Sequence, residues 1–483
     1  MDAPPKIIQG GMGVAISGWR LAQAVSRLGH LGVVAGTALD QVLARRLEDG
    51  DPGSHCRRAF DAFPFRAMAE RVWSRYFIPG GKAADTPYIR LPFHGLACPR
   101  PLAEDCLLGN FVEVFLAREG HANPVGINYL EKIQTPHLVS IYGAMLAGVG
   151  YILMGAGIPL KVPGVLDAYV NHEPATYPLY VAGAKDGDDT TMHFRPRDFM
   201  ECDLPPLERP RFLPIIASNV LAATLLKKAN GRVDGFIIEG PTAGGHNAPP
   251  RGRPTFNDQG EPIYGERDRV NLETMRGLGV PFWLAGGYGG PDVLRQALEE
   301  GAAGVQVGTA FAYCEESGLR DDYKQAVLSL VAEGQAQVRT DPIASPSGFP
   351  FKVVQVEGTA SDESVYNARP RVCDLGYLRE AYRTPDGRID FRCPSEPLSV
   401  YVSKGGREED AVGRKCICNA LVATAGAPQV RAQGRLVEAG IITAGDDLGG
   451  IGRFMRHGST RYTAADVIGV IMQGAAPENS TPV

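Results

Sequence analysis

A (β/α)8 barrel is the fold class this sequence predicts. Three observations carry it: eight short runs of four or more apolar residues, amphipathic segments after most of them, and glycine-rich turns between. Runs that are apolar at every position belong to strands covered on both faces, and therefore to a parallel sheet. Eight β/α units favour a closed barrel, with a doubly wound sheet as the alternative.

The elements follow in order. KIIQGGMG (6–13) leads into WRLAQAVSRLG, and LGVVAGT (31–37) into LDQVLARRLEDG. PVGINYL (124–130) precedes PHLVSIYGAMLAG, and YILMGAGIP (151–159) follows. FLPIIASN (212–219) opens VLAATLLKKANG, and GFIIEGPTAGGH (235–246) comes next. PFWLAGGYGG (281–290) precedes PDVLRQALEEG, and GVQVGTAF (304–311) ends the series. Residues 1–360 are thus read as the barrel, with a helical insertion at 50–123 and a loop insertion at 181–211. Insertions of this length are expected to form lids over the carboxyl ends of the strands; the alternative is that they pack at the other end and only stabilise. Residues 361–483, ending in the helix-like TAADVIGVIMQG, are read as a C-terminal extension docked on the barrel.

Composition narrows the function classes. The chain has 483 residues, 44% hydrophobic and 21% charged, with a net charge of −5 and 59 glycines. No basic field exists to hold nucleic acid. The start, MDAPPKIIQGG, has no apolar leader-like run. The uncharged stretch IYGAMLAGVGYILMGAGIPL (141–160) is broken by five glycines and a proline, and reads as helix end, turn, strand and loop rather than a membrane span. Nine cysteines, an odd number, with no export signal point to free thiols and a cytoplasmic location.

In such a barrel the chemistry gathers where strands end. Here those positions hold GGMG, NY, GAG, SN, EGPTAGGH, AGGYGG and GTAF. Loops without side chains let backbone N–H groups converge on an anion, and the loops after the seventh and eighth strands are the usual phosphate holders of this fold. No triphosphate-binding Lys-Ser/Thr loop, HExxH pair or serine elbow is present. A small-residue rim with one phosphate cradle suits flavin mononucleotide (FMN).

These motifs carry a resemblance. QGGMG (9–13), VGIN (125–128), GAGIP (155–159), EGPTAGGH (239–246), AGGYGG (285–290) and VQVGTAF (305–311) resemble, in order, those of the nitronate monooxygenases, formerly 2-nitropropane dioxygenases. They are equally similar to those of the flavin-dependent enoyl-ACP reductases. The resemblance covers residues 5–350 apart from the insertions and implies an FMN-binding barrel. It puts Gly11 and Met12 beside the flavin ring, Asn128 in hydrogen bond to it, and Gly155 at the cofactor. Gly244, Gly245, Gly286, Gly287, Gly308 and Thr309 would surround the phosphate, and His246 would face the substrate.

Imidazole exchanges protons near neutral pH, so His246 is the expected catalytic residue, acting on a nitroalkane or nitronate with O2 as co-substrate. The rival activity is NAD(P)H-dependent reduction of an enoyl thioester; a third reading is an FMN-binding barrel serving as a binding or assembly component. A small-molecule substrate is expected and a homo-oligomer is left open. The chain departs from the family where Glu-Ala-Gly-Gly-His is common and Thr242-Ala243-Gly244-Gly245-His246 stands instead, which leaves the substrate open. His94, His121, His137, His172 and His193 are read as surface residues, and Tyr264 and Tyr288 as aromatic packing. Cys373, Cys393, Cys416 and Cys418 crowd one region, but no CxxC spacing joins them; they are read as small buried side chains with no metal expected, the alternative being a zinc or iron–sulfur site.

Overall fold

The computed structural model describes residues 3–432, 434–456 and 458–473. Eight parallel strands make one sheet: β1 (Ile7–Gln9), β2 (Gly32–Ala35), β3 (Val125–Leu130), β4 (Tyr151–Gly155), β5 (Arg211–Ile216), β6 (Phe236–Glu239), β7 (Phe282–Ala285) and β8 (Gly304–Val307). Each pairs with the next, β8 returns to β1 through Ile7–Val305 and Gln9–Val307, and a parallel bridge between Ile8 and Leu31 closes the ring. The barrel predicted from the apolar runs is therefore the fold, and its interior explains those runs. Ile8, Val33, Leu153, Leu213, Ile237 and Trp283 point inward into one packed cluster, while alternate residues such as Ile7, Ile127 and Phe236 pack beneath the helices.

A helix ring surrounds the strands: α1 (Trp19–Arg27), α2 (Arg100–Arg118), α3 (His137–Leu146), α4 (Val162–Val170), α5 (Asn219–Lys228), α6 (Leu272–Gly277), α7 (Val293–Glu299) and α8 (Ala464–Gln473). Local chemistry starts some of them. The Ser218 hydroxyl accepts from Leu221 N at 3.0 Å, and the Asn271 side chain accepts from Thr274 N at 2.8 Å, each satisfying a free amide of the first turn. The stretch 141–160 is the end of α3, a turn and β4. No helix among the described residues is long and apolar enough to cross a membrane.

Two elements lie where composition alone did not put them. α2, inside the 50–123 excursion, packs against α1 and α3 and so is the ring helix of the second unit. The rest of that excursion wraps it, with Arg71 and Arg100 both reaching the buried Glu104. α8 packs between α7 and α1. Most of the described residues after 360 form a long excursion between β8 and this helix.

Three histidines read as surface residues are buried instead. His94 bonds Asp40 at 2.9 Å, His172 accepts from the Tyr142 hydroxyl at 2.8 Å, and His137 sits within 3.2 Å of Leu130 O. Each lies where an excursion or ring helix covers it, a long-range effect that local polarity cannot reveal. Tyr377 of the late excursion also donates to Asp40, tying that segment to the early one.

Candidate active site

A cavity of about 490 Å³ opens at the carboxyl ends of the strands. Gly11, Met12, Asn128, Gly155, Gly244, Gly245, His246, Gly308 and Thr309 line it, brought together from five stretches of sequence. Gly286 and Gly287 do not join the lining; they stand against the loop after β6, where a Cβ on Gly286 would meet Thr242 Oγ1 at 2.9 Å. Tyr264 donates to Ala248 O at 3.1 Å and Tyr288 packs on the core, both outside the lining.

The expected lids are replaced by another element. Neither excursion 50–123 nor 181–211 supplies a lining residue; the far wall comes from 349–444, including Leu375, Tyr377, Leu378, Ile417 and Ile441. The physical reason is where apolar surface was available. The early excursion spends its apolar side chains on α2, and the 181–211 loop pairs its strand Val181–Ala182 with Glu380–Arg383 of the late excursion. The late excursion is left to face the cavity.

His246 ends the loop after β6. Its Nε2 lies 2.6 Å from Ser345 Oγ, which lies 2.8 Å from Ser347 Oγ. The ring packs on Phe351 at 4.6 Å between centroids, and the His246 backbone bridges that of Phe351. Among the described residues Nδ1 makes no hydrogen bond. Burial pushes the imidazole down to about 4, so at neutral pH it is uncharged, with one nitrogen anchored and the other free.

Glu239, the last residue of β6, also lines the cavity, and its carboxyl has no hydrogen-bonding or ionic partner among the described residues. Burial pushes its carboxyl up to about 7. Asn128 donates from Nδ2 to Gly11 O at 3.3 Å, while its Oδ1 is buried without a partner among the described residues. Arg251 lines the wall, holding Ala217 O. Sequence reasoning passed over Glu239, Arg251 and Ser345. Glu239 had a signal, a charge closing an apolar run at the end of the strand where chemistry gathers. Ser345 had none, since 99 residues separate it from His246.

The family model for nitronate monooxygenase matches residues 210–340, the span of β5 to β8 with His246 and the loops that follow them. A nitronate monooxygenase of Pseudomonas aeruginosa is 32% identical over 250 residues, 50% of this chain and 62% of that protein. Over these stretches the chain is similar to the nitronate monooxygenase family. A probable nitronate monooxygenase of Staphylococcus haemolyticus is 39% identical over 118 residues, 24% of this chain and 31% of that one. The chain thus spans less than two thirds of the length of these nitronate monooxygenase relatives. Among solved structures, nitroalkane oxidase from Streptomyces ansochromogenes aligns at a TM-score of 0.47 with 15% identity, over 98% of this chain and 96% of that one.

Proposed function

We propose that this chain is an FMN-dependent oxidoreductase that oxidises nitronates, and nitroalkanes after deprotonation, with O2. The observation that carries the reading is the uncharged His246 imidazole in the cavity wall, fixed through Nε2 and free at Nδ1. A flavin fits the residues present. The orphaned buried Asn128 Oδ1 offers an acceptor for a ring N–H, and Gly11, Met12 and Gly155 leave a side-chain-poor wall for a flat ring. Gly244, Gly245, Gly308 and Thr309 are the residues that would hold its phosphate end. When bound, FMN supplies an acceptor for the substrate's electrons and their passage to O2.

The chain's own residues do the rest. His246 Nδ1 takes the proton from the carbon bearing the nitro group, and Ser345 steadies the imidazolium that results. Arg251 offers positive charge to the anionic product of that transfer. The apolar wall from the late excursion excludes water around it. Anaerobic mixing of the flavin-loaded protein with a nitronate is expected to bleach the flavin band, while NAD(P)H leaves it unchanged. Bleaching by NAD(P)H alone would transfer the assignment to an enoyl-thioester reductase; bleaching by neither would leave a binding component.

A further inference from the structure

Two serines of one loop stand between His246 and the outside of the molecule. From His246 Nε2 the chain of atoms runs to Ser345 Oγ at 2.6 Å and on to Ser347 Oγ at 2.8 Å, both distances of good hydrogen bonds. Ser345 is fully buried, Ser347 is half-buried, and neither lines the cavity. The chain therefore starts at the cavity, crosses its wall and ends at the outer surface. We infer that Ser345 and Ser347 carry protons between His246 and solvent.

Three observations support this. First, the hydrogens can be shared in two ways. Ser345 Oγ accepts from Ser347 N at 3.2 Å, which leaves one lone pair and its own hydrogen for His246 and Ser347. Either Nε2 donates to Ser345 and Ser345 to Ser347, or Ser347 donates to Ser345 and Ser345 to Nε2. Passing one proton along the chain turns the first arrangement into the second. Second, among the described residues no acid or base besides His246 bonds either hydroxyl. No carboxylate or amine therefore traps a proton in transit. Third, the loop is held from several sides. Asp341 Oδ1 accepts from Ile343 N and Ala344 N, each at 2.9 Å. Arg414 donates to Ile343 O at 2.8 Å and to Ser345 O at 2.6 Å, and Lys415 N donates to Ala344 O at 2.8 Å.

In catalysis the path rests on the proposed role of His246 as the base. When Nδ1 takes a proton from the substrate carbon, the imidazolium sheds its Nε2 proton to Ser345. The Ser345 proton passes to Ser347, and that of Ser347 to water. One proton enters and one leaves, and the ring is neutral again, protonated on Nδ1. An imidazole held down to about 4 by burial cannot keep both protons at neutral pH, so it needs such an exit. The reverse passage resets the ring once Nδ1 gives its proton to an anionic product of O2 reduction.

The test follows the Nε2 proton itself, by NMR of flavin-loaded protein carrying isotope-labelled histidine, with His246→Asn identifying the signal. Ser347→Ala cuts the path and leaves the Ser345 anchor, so exchange of that proton with water should slow severalfold. Ser347→Thr should restore it. Turnover of a neutral nitroalkane should fall about 10- to 100-fold in Ser347→Ala, less than on loss of the base itself, while a preformed nitronate should be turned over as before. Unchanged exchange in Ser347→Ala would overturn the inference, as would a Ser347→Thr protein as slow as Ser347→Ala. Equal losses with the two substrate forms would do the same, since they would reduce the serines to a mere support for the ring. The exchange measurement needs no substrate: if wild-type protein turned over neither form, the proposed function would fail and exchange would still decide the path.

Discussion

An imidazole pushed down to about 4 by burial is already a base at neutral pH, so His246 needs no titration to accept a proton. His246→Asn keeps a polar side chain of similar reach and removes that capacity. Turnover of a neutral nitroalkane should fall about 10²- to 10⁴-fold, while the preformed nitronate should lose much less. Steady-state rates with the two substrate forms check this, and equal losses would sink the base assignment. The acid limb of the wild-type nitroalkane profile should lie well below 6.5 for the same reason. Glu239 works in the opposite direction. Its carboxyl is raised from the ordinary 4.5 to about 7, so between those values the folded state holds a proton that the unfolded state has released. Stability is therefore complete at low pH and lost as pH climbs through that window, by roughly 1–3 kcal/mol. Glu239→Gln cannot ionise. Its melting temperature relative to wild type should rise steadily from pH 5 to pH 8, and a constant difference would show that Glu239 is already ionised in the fold.

At the scale of elements, the loop after β6 is held by segments far along the chain. Lys352 N donates to Gly245 O at 2.9 Å and Asn247 N to Pro350 O at 3.0 Å. Asp446 N reaches Thr242 O at 3.0 Å, and Gly445 N reaches Thr309 Oγ1 at 2.9 Å. Sequence reasoning gave the glycines here to phosphate approach. For Gly244 the geometry supplies a different demand: a Cβ would lie 2.7 Å from the Ala444 carbonyl carbon and 2.8 Å from Gly445 N, both backbone. Gly244→Ala should then force the two segments apart and cost about 1–3 kcal/mol, read as a lower midpoint in thermal or denaturant unfolding. A midpoint equal to wild type would show that the contact yields freely. The contrast explains what was legible. Strands buried on both faces announce themselves as apolar runs, and the loops at their ends named most of the cavity lining. The Ser345 anchor and the apolar far wall arise from contacts between distant stretches with no shared local pattern.

At the scale of the whole molecule, the barrel is finished by its last described helix. A reading by alternation ends the barrel near residue 360, because the β/α rhythm stops there. The rhythm stops only because an excursion of about 150 residues separates β8 from α8, and periodicity cannot be followed across such a gap. Ala464, Val467, Ile468 and Ile471 of α8 are buried where it meets α7 and α1. At roughly 1.5–3 kcal/mol for each large apolar side chain, the three branched residues together contribute about 5–9 kcal/mol, comparable with the entire net stability of a typical domain. A chain ending at residue 463 keeps every residue of the excursion and loses only this helix and the few residues after it. It should be insoluble, or should expose its apolar face and bind a hydrophobic dye without a cooperative melting transition. A chain ending at 360 should behave no better. Were the segment a docked extension, the 360-residue chain would instead be the better-behaved of the two, a soluble barrel with a sharp melt, and ring closure by α8 would have to be abandoned.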